Sequence, residues 1–247
     1  MTDFRQQLIN IDRKLNIPLL NNQVQEVTNI LEILDNKEVL VRAPRPIGLM
    51  PDEYDELFWN LNKNERILLK QADSLLNNFR SYLSRSYGLW SLANLETAQA
   101  IKDQYQVKTS LEVMAGNSYW SAAFNQIGIK AISTDSMSWA KTSKTGTQGF
   151  YQTEKLNAKD AIKKYPDVDL VFCCWAPNFG KGDLEVLQSF RKYNHHGHLL
   201  FIGEKDGATN TQEFWENAKI INSLAEKIVN QTFHNFDFID EKIYEIR

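Results

Sequence analysis

Glycine is nearly missing from the first 105 residues of this 247-residue chain: only Gly48 and Gly88 fall there, and the other nine of eleven come later. Glycine marks places where backbone turns sharply or lets a ligand approach, so ligand chemistry is expected in the second part. Cysteine is scarce as well. Cys173 and Cys174 are the only two, and as neighbours in an apolar run they point to opposite faces of a strand. That excludes a mutual disulfide or a shared metal site between them, and no zinc spacing is present. This is the cysteine usage of a reduced, intracellular protein. No charge of one sign accumulates: residues 1–105 carry 12 Lys/Arg against 14 Asp/Glu, and residues 106–247 carry 16 against 17. Without a basic block or stripe there is no clear nucleic-acid signature. No apolar run approaches the ~18 residues of a membrane span, and charges in MTDFRQQLINIDRKL interrupt any apolar signal core. The expected location is the cytoplasm, with no membrane partner. Oligomeric state leaves no mark in the sequence.

With 43% hydrophobic residues, the chain can bury a core without metals or disulfides. The first part reads as helices. Phe4, Leu8, Ile11 and Leu15 recur at helical spacing, as do Val24, Val27, Leu31 and Leu34, with Pro18 marking a break. Residues 41–51 hold three prolines and Gly48 and read as a connector. A long helical stretch is expected from Asp52 to Arg85, and another helix from Asn94, a suitable N-cap, to Tyr105. Residues 1–86 are thus expected to form a helical N-terminal extension or cap, with a substrate-selecting lid as the sharper alternative.

After residue 105 short apolar runs appear at 109–114, 129–134, 168–174 and 198–202, separated by helix-like stretches at 120–127, 158–164 and 183–193. Such alternation predicts βαβ units around a parallel sheet. Residues 214–229 read as a helix. Residues 233–238 and 242–246 read as two strands joined by a turn at Asp240 and Glu241, so an antiparallel hairpin is expected to close the sheet.

The segment Ser110-Leu111-Glu112-Val113-Met114-Ala115-Gly116-Asn117-Ser118-Tyr119-Trp120 reads as a buried strand, a tight turn and a helix start. A turn of this kind lies at the carboxyl edge of the sheet, where open α/β folds bind ligands. Gly116 lets backbone approach a ligand and Asn117 tolerates unusual dihedrals. Asp135 ends the next apolar run, where a carboxylate can accept hydrogen bonds from both hydroxyls of an adenosine ribose. Glu112 separates two cofactor classes. A dinucleotide fold keeps its first strand apolar and cradles a pyrophosphate with three glycines, whereas a carboxylate before the turn suits the ammonium of a sulfonium amino acid. An ordinary strand–turn–helix without ligand is the bland alternative.

From Tyr87 to Arg247, about two-thirds of its length, the chain resembles class I S-adenosylmethionine-dependent methyltransferases, and within them a subgroup with an E-x-G-A-G-x-G-Y-W-A loop. Glu112, Ala115, Gly116, Tyr119 and Trp120 match that loop. The subgroup's C-W-P-P segment corresponds to Cys174-Trp175-Ala176-Pro177, and its V-G-E segment to Ile202-Gly203-Glu204. The resemblance implies a Rossmann-like α/β fold over residues 87–247, S-adenosyl-L-methionine as cofactor and a small-molecule acceptor. It implies that Glu112, Ala115, Gly116 and Asn117 hold the methionine end, Asp135 the ribose, and Asn157 with Ala158 the adenine. The resemblance places Trp175 in the loop that faces the transferred methyl group, and Glu204, at the carboxyl end of the fifth apolar run, is the candidate base or substrate contact.

Met114 and Ser118 replace two of the loop's glycines and Ala176 replaces a proline. Met114 either crowds the cofactor or shapes the pocket. These departures keep two further readings open, a non-catalytic binding module on the same fold and, against Glu112, an NAD-dependent oxidoreductase. Each implied residue also has a plainer role: Asp135 as a strand end, Asn157 as an N-cap, Trp175 as core, Glu204 as a cap of the next turn. His195, His196 and His198 precede the fifth strand, at the edge away from the site, so no metal is expected there. The Ser136–Gly149 loop is either a cover over the cofactor or a solvated loop.

Overall fold

A computed structural model describes residues 3–141, 145 and 149–247; the other residues of the 136–149 loop lie outside that set. Among the described residues six strands form one sheet: β1 (Thr109–Val113), β2 (Lys130–Asp135), β3 (Glu154–Lys155), β4 (Leu170–Cys174), β5 (His198–Gly203) and β6 (Lys242–Ile246). Their order is β3-β2-β1-β4-β5-β6, parallel throughout except that β6 runs antiparallel to β5. The chain therefore winds outward from β1 to β3, then jumps back to β4 on the other side. That reversal splays the connections beyond the carboxyl ends of β1 and β4 and leaves a crevice. The architecture is the Rossmann-like α/β sheet expected, mostly parallel with an antiparallel end pair and preceded by N-terminal helices.

Strands β4 and β5 feed two cores. Leu170, Phe172, Leu200 and Ile202 pack on one face, while Val171, Cys173, Leu199 and Phe201 pack on the other, as the period of two requires. Cys173 and Cys174 are both free thiols. Helices α8 (Ala158–Lys164), α9 (Gly182–Tyr193) and α10 (Gln212–Asn217) cover the second face. The first face meets α6 (Leu95–Tyr105), α7 (Tyr119–Gln126), α11 (Leu224–Asn230) and the helices before residue 88. Leu8, Leu31, Phe79 and Leu83 belong to the same buried cluster as Trp120, Phe124 and Phe172, so apolar packing runs without a break from the N-terminal helices onto the sheet.

Those early helices are α1 (Phe4–Leu15), α2 (Pro18–Asp35), α3 (Pro51–Asn60), α4 (Lys63–Asn77) and α5 (Phe79–Tyr87). Pro18 opens α2, because a missing N–H is harmless at a first helical position. The expected single stretch from 52 to 85 is three helices. Asn62 adopts an extended conformation, caps α4 through Asn64 and Glu65, and so ends α3; Asn78 breaks the next join. Asn94 caps α6 through the Thr97 N–H, as the sequence indicates.

The end of the chain differs from expectation. Residues 233–238 are not a strand. Phe233 and Phe236 instead plug the first core, Phe233 against Trp120 at 6.0 Å between ring centroids and Phe236 against Phe79 at 6.1 Å. The outer edge of β6 is paired by residues 219–221, through reciprocal bonds between Lys219 and Arg247 and a bond from the Ile221 N–H to the Glu245 carbonyl. That pairing splits the expected 214–229 helix into α10 and α11, and Ser223 caps the second of them. Among the described residues no helix is long and apolar enough to cross a membrane.

Candidate active site

A cavity of about 640 Å³ opens at the crevice, within the range of small-molecule sites. Its walls come from the carboxyl ends of β1, β2 and β4, the start of α8 and the segment after α5. Glu112, Ala115, Gly116, Asp135, Asn157, Ala158 and Trp175 all line it; Asn117 and Glu204 do not.

The turn between β1 and α7 has an unusual backbone. Met114, Gly116 and Ser118 take φ of +54°, +54° and +60°. These are the three positions at which the resembling subgroup carries glycine, and the left-handed conformation costs an L-residue about 1 kcal/mol or more. Hydrogen bonds hold it in place. The Ala115 N–H donates to the Thr134 carbonyl at 3.1 Å and the Ser118 N–H to the Ala115 carbonyl at 2.8 Å. The Gly116 N–H donates to Asp135 Oδ2 at 2.9 Å. The Ser118 hydroxyl is buried against those of Ser133 and Thr153. A Cβ on Gly116 would meet no atom within 4 Å, so the glycine presents open backbone to the cavity. Met114 reaches the first turn of α9, where a Cβ at Gly182 would lie 2.9 Å from its methyl carbon; its thioether forms a wall. Asn117 works behind the turn: its amide donates to the Tyr87 carbonyl at 2.5 Å and its own carbonyl accepts from the Phe150 N–H at 2.8 Å.

Two carboxylates from adjacent strands flank the turn. Glu112 is buried, and its Oε2 accepts from the Ser121 N–H at 2.7 Å and the Ser121 hydroxyl at 2.5 Å. Burial pushes its pKa up to about 7, with the Asp135 charge adding to the rise and the Ser121 bonds opposing it. Asp135 accepts three donors: Gly116 N–H on Oδ2, and on Oδ1 the Met137 N–H at 2.7 Å and the Trp139 indole at 3.0 Å. Asn157 caps α8, accepting from the Asp160 N–H at 2.9 Å, and it faces the cavity at the same time.

The opposite end is aromatic. Trp175, with φ of +55°, follows β4 and stacks on Trp90 with centroids 5.5 Å apart and planes 17° from parallel. Its indole N–H donates to Glu241 Oε2 at 2.5 Å, and the Arg80 guanidinium lies 4.7 Å from its ring centre. Arg80 in turn grips Asp237 at 2.6 and 2.7 Å and Glu241 at 2.9 Å, and donates to the Trp90 carbonyl. Burial raises the Glu241 pKa, while Arg80 and Trp175 hold it down. Burial, helped by the charge of Glu241, pushes the Cys174 thiol well above its ordinary range, so this cavity-lining sulfur stays protonated.

Arg80, Ser121, Trp139 and Glu241 were not identifiable as site residues from sequence. Arg80 reads as a helix-surface charge and Glu241 as a turn residue, because their partners lie far along the chain. Ser121, at the subgroup's loop alanine, is the one with a local signal. Glu204 caps its own turn with one oxygen, accepting from the Ala208 N–H at 2.8 Å, and ties it to the residues before β6 with the other, accepting from the Asp240 N–H at 3.2 Å. His198 sits at the start of β5, 3.2 Å from a Glu245 oxygen. Among the described residues no cluster of three metal-ligating side chains occurs.

The strained turn and the buried carboxylate each have a measurable consequence. Met114→Gly relieves a left-handed side chain and should leave unfolding free energy unchanged or raise it by about 1 kcal/mol, whereas Met114→Val, branched at Cβ, should lower it by more than that. Urea titration of the two variants checks this, and equal effects would contradict the backbone described. Glu112 is neutral in both folded and unfolded chains below its ordinary pKa of 4.5. As pH rises towards 7 the unfolded chain ionises first, so folded stability falls and then levels off. Glu112→Gln removes that slope: it should match wild type near pH 4.5 and exceed it at pH 8 by about 3 kcal/mol. A difference independent of pH would contradict the assignment.

No protein-family model matches the chain, and no curated protein matches it. Solved structures resemble it in shape. Among them are the plantazolicin methyltransferase BpumL in complex with SAH (TM-score 0.43, 12% identity, covering 79% of this chain and 98% of that one) and human N-acetylserotonin methyltransferase in complex with SAM (0.39, 10%, 81% and 60%). An rRNA methylase from Streptococcus thermophilus is a third (0.37, 12%, 60% and 94%). The chain spans 60% of the human protein's length and 61% of that of a similar Nostoc punctiforme structure. At these identities and scores, neither the ligands nor the acceptors of those proteins carry over to this chain.

Proposed function

We propose that this protein is an S-adenosyl-L-methionine-dependent methyltransferase acting on a small-molecule acceptor. The observation that carries the reading is the turn at 114–118, whose open Gly116 backbone faces the cavity between the Glu112 and Asp135 carboxylates. The donor set suits the cofactor. Glu112 would hold an ammonium, Asp135 a ribose hydroxyl, and Asn157 with Ala158 the adenine edge. When bound, S-adenosyl-L-methionine supplies a sulfonium methyl to an acceptor lone pair, the electrons of the broken S–C bond staying on sulfur. Positioning is the protein's main contribution to such a displacement. Met114 and Gly182 wall one side, and the Trp90–Trp175 stack walls the acceptor end. Glu112 must ionise to pair with an ammonium, so binding below neutral pH displaces its proton and affinity should climb with pH up to about 7.

A non-catalytic binding module is the second reading. It is favoured by Asp135, whose three protein donors leave one of roughly four acceptor positions for a ribose. A nicotinamide dinucleotide fits worse, because the buried Glu112 would stand near its pyrophosphate.

Isothermal titration with S-adenosylhomocysteine tests the proposal. Wild type should bind it at micromolar concentration, more tightly at pH 8 than at pH 6, and Asp135→Ala should weaken binding about ten-fold or more while circular dichroism stays native. A folded wild type that binds none would contradict the methyltransferase reading. Tight binding that Asp135→Ala leaves unchanged would place the ribose elsewhere.

A further inference from the structure

The acceptor end of the cavity has a chemistry of its own, and its assignment rests on the methyltransferase reading. Strand order separates the two ends: Asp135, Asn157 and Ala158 stand on the β2–β3 side, while Trp175 and Phe179 follow β4 on the other side of β1. On the β4 side the Trp175 ring carries Trp90 at 5.5 Å and the Arg80 guanidinium at 4.7 Å. The Trp175 plane is therefore already engaged. Trp90 is different. It lines the cavity, yet 52% of its surface is exposed, and Phe179, which lines the same cavity, is 75% exposed. Two large aromatic side chains left open on one cavity are a ready-made surface for stacking a flat ring.

The charge of the lining is one-sided. Glu112, Asp135 and Glu185 line the cavity, and among the described lining residues there is no Lys, Arg or His. Arg80, the cation behind the aromatic wall, is bonded to both Asp237 and Glu241 and offers no free positive charge. With Glu112 and Asp135 given to the cofactor, Glu185 is the charged lining residue left for the acceptor, and a carboxylate or phosphate would meet it with no described lining cation to offset the repulsion, a mismatch that discriminates against such ligands.

The geometry points to a planar aromatic acceptor without negative charge, stacked on the open face of Trp90. The Arg80–Glu241 pair acts through Trp175: it pins that indole by its N–H and so fixes the plane on which Trp90 rests. Trp90 is the specificity-determining residue, and Arg80 and Glu241 are positioning residues.

Three probes of similar size separate the requirements: 1-naphthylmethylamine, planar and cationic; 1-naphthaleneacetate, planar and anionic; and (decahydronaphthalen-1-yl)methylamine, cationic but not planar. Their binding to the full chain is measured by calorimetry in the presence of S-adenosylhomocysteine, with the titration of S-adenosylhomocysteine itself into wild type run alongside. The naphthylamine should bind about ten-fold or more tightly than either other probe. Trp90→Ala should weaken it about ten-fold, while Trp90→Phe, which keeps a flat ring, should hold it within about three-fold of wild type. If wild type binds S-adenosylhomocysteine but takes the anionic or the saturated probe as well as the naphthylamine, this inference is overturned and the cofactor reading stands. An unchanged affinity in Trp90→Ala overturns it equally. If wild type binds no S-adenosylhomocysteine, the cofactor reading fails and takes the acceptor assignment with it.

Discussion

Between the end of β1 at Val113 and the start of α7 at Tyr119 the backbone takes the left-handed conformation three times, at residues 114, 116 and 118. The bond from the Gly116 N–H to Asp135 ties that turn to the neighbouring strand. Much else depends on it. Asp135 is drawn to the rim of the cavity because it serves the turn, and Glu112 is left buried beneath it. The hydroxyl cluster of Ser118, Ser133 and Thr153 locks the helix end of the turn from behind. Met114 and Ser118 carry side chains, yet both hold the conformation that glycine favours. Tertiary hydrogen bonds, about 1 kcal/mol each, are sufficient to offset the local cost of the side chains.

The helices before residue 88 reach the same cavity by a different route. Arg80 on α5 is buried with Asp237 and Glu241, and Glu241 holds the Trp175 indole. Taking three ionised groups out of water is costly, and such clusters are weak stabilisers on their own. What this one supplies is orientation. It fixes an aromatic side chain that itself has a left-handed backbone, and it links α5, the segment after β4 and the approach to β6 at one point. Asn117 makes a second link by bonding to the Tyr87 carbonyl. The helical part is thus continuous with the site wall, and the shared core from Leu8 to Phe172 supports both.

Strands β1, β2, β4 and β5 and the helices between them were legible because each combines an apolar run with local punctuation. Asn94 and Asn157 were legible as caps for the same reason. The two-residue β3 has no such pattern. Residues 233–238 carried aromatics at strand-like spacing, but Phe233 and Phe236 are spaced to fill a core reached only in three dimensions. Arg80 and Glu241 could not be matched from sequence, since neither has a partner within a helical turn. Glu204 stands at the carboxyl end of β5, yet its carboxylate is taken up by the Ala208 and Asp240 N–H groups and does not line the cavity. Of the cavity lining, the residues that stand at strand ends and helix starts were readable, and those brought in by the segment after α5 and by the 136–139 stretch were not.

The central claim is that the open backbone at Gly116, between Glu112 and Asp135, receives the methionine and ribose parts of the cofactor. A crystal structure of the protein grown with S-adenosylhomocysteine tests it most directly. The expected result is the ligand lying over Gly116, its ammonium beside Glu112 and a ribose hydroxyl on Asp135. Ligand bound elsewhere, or a cavity that stays without it at saturating concentration, would contradict that claim.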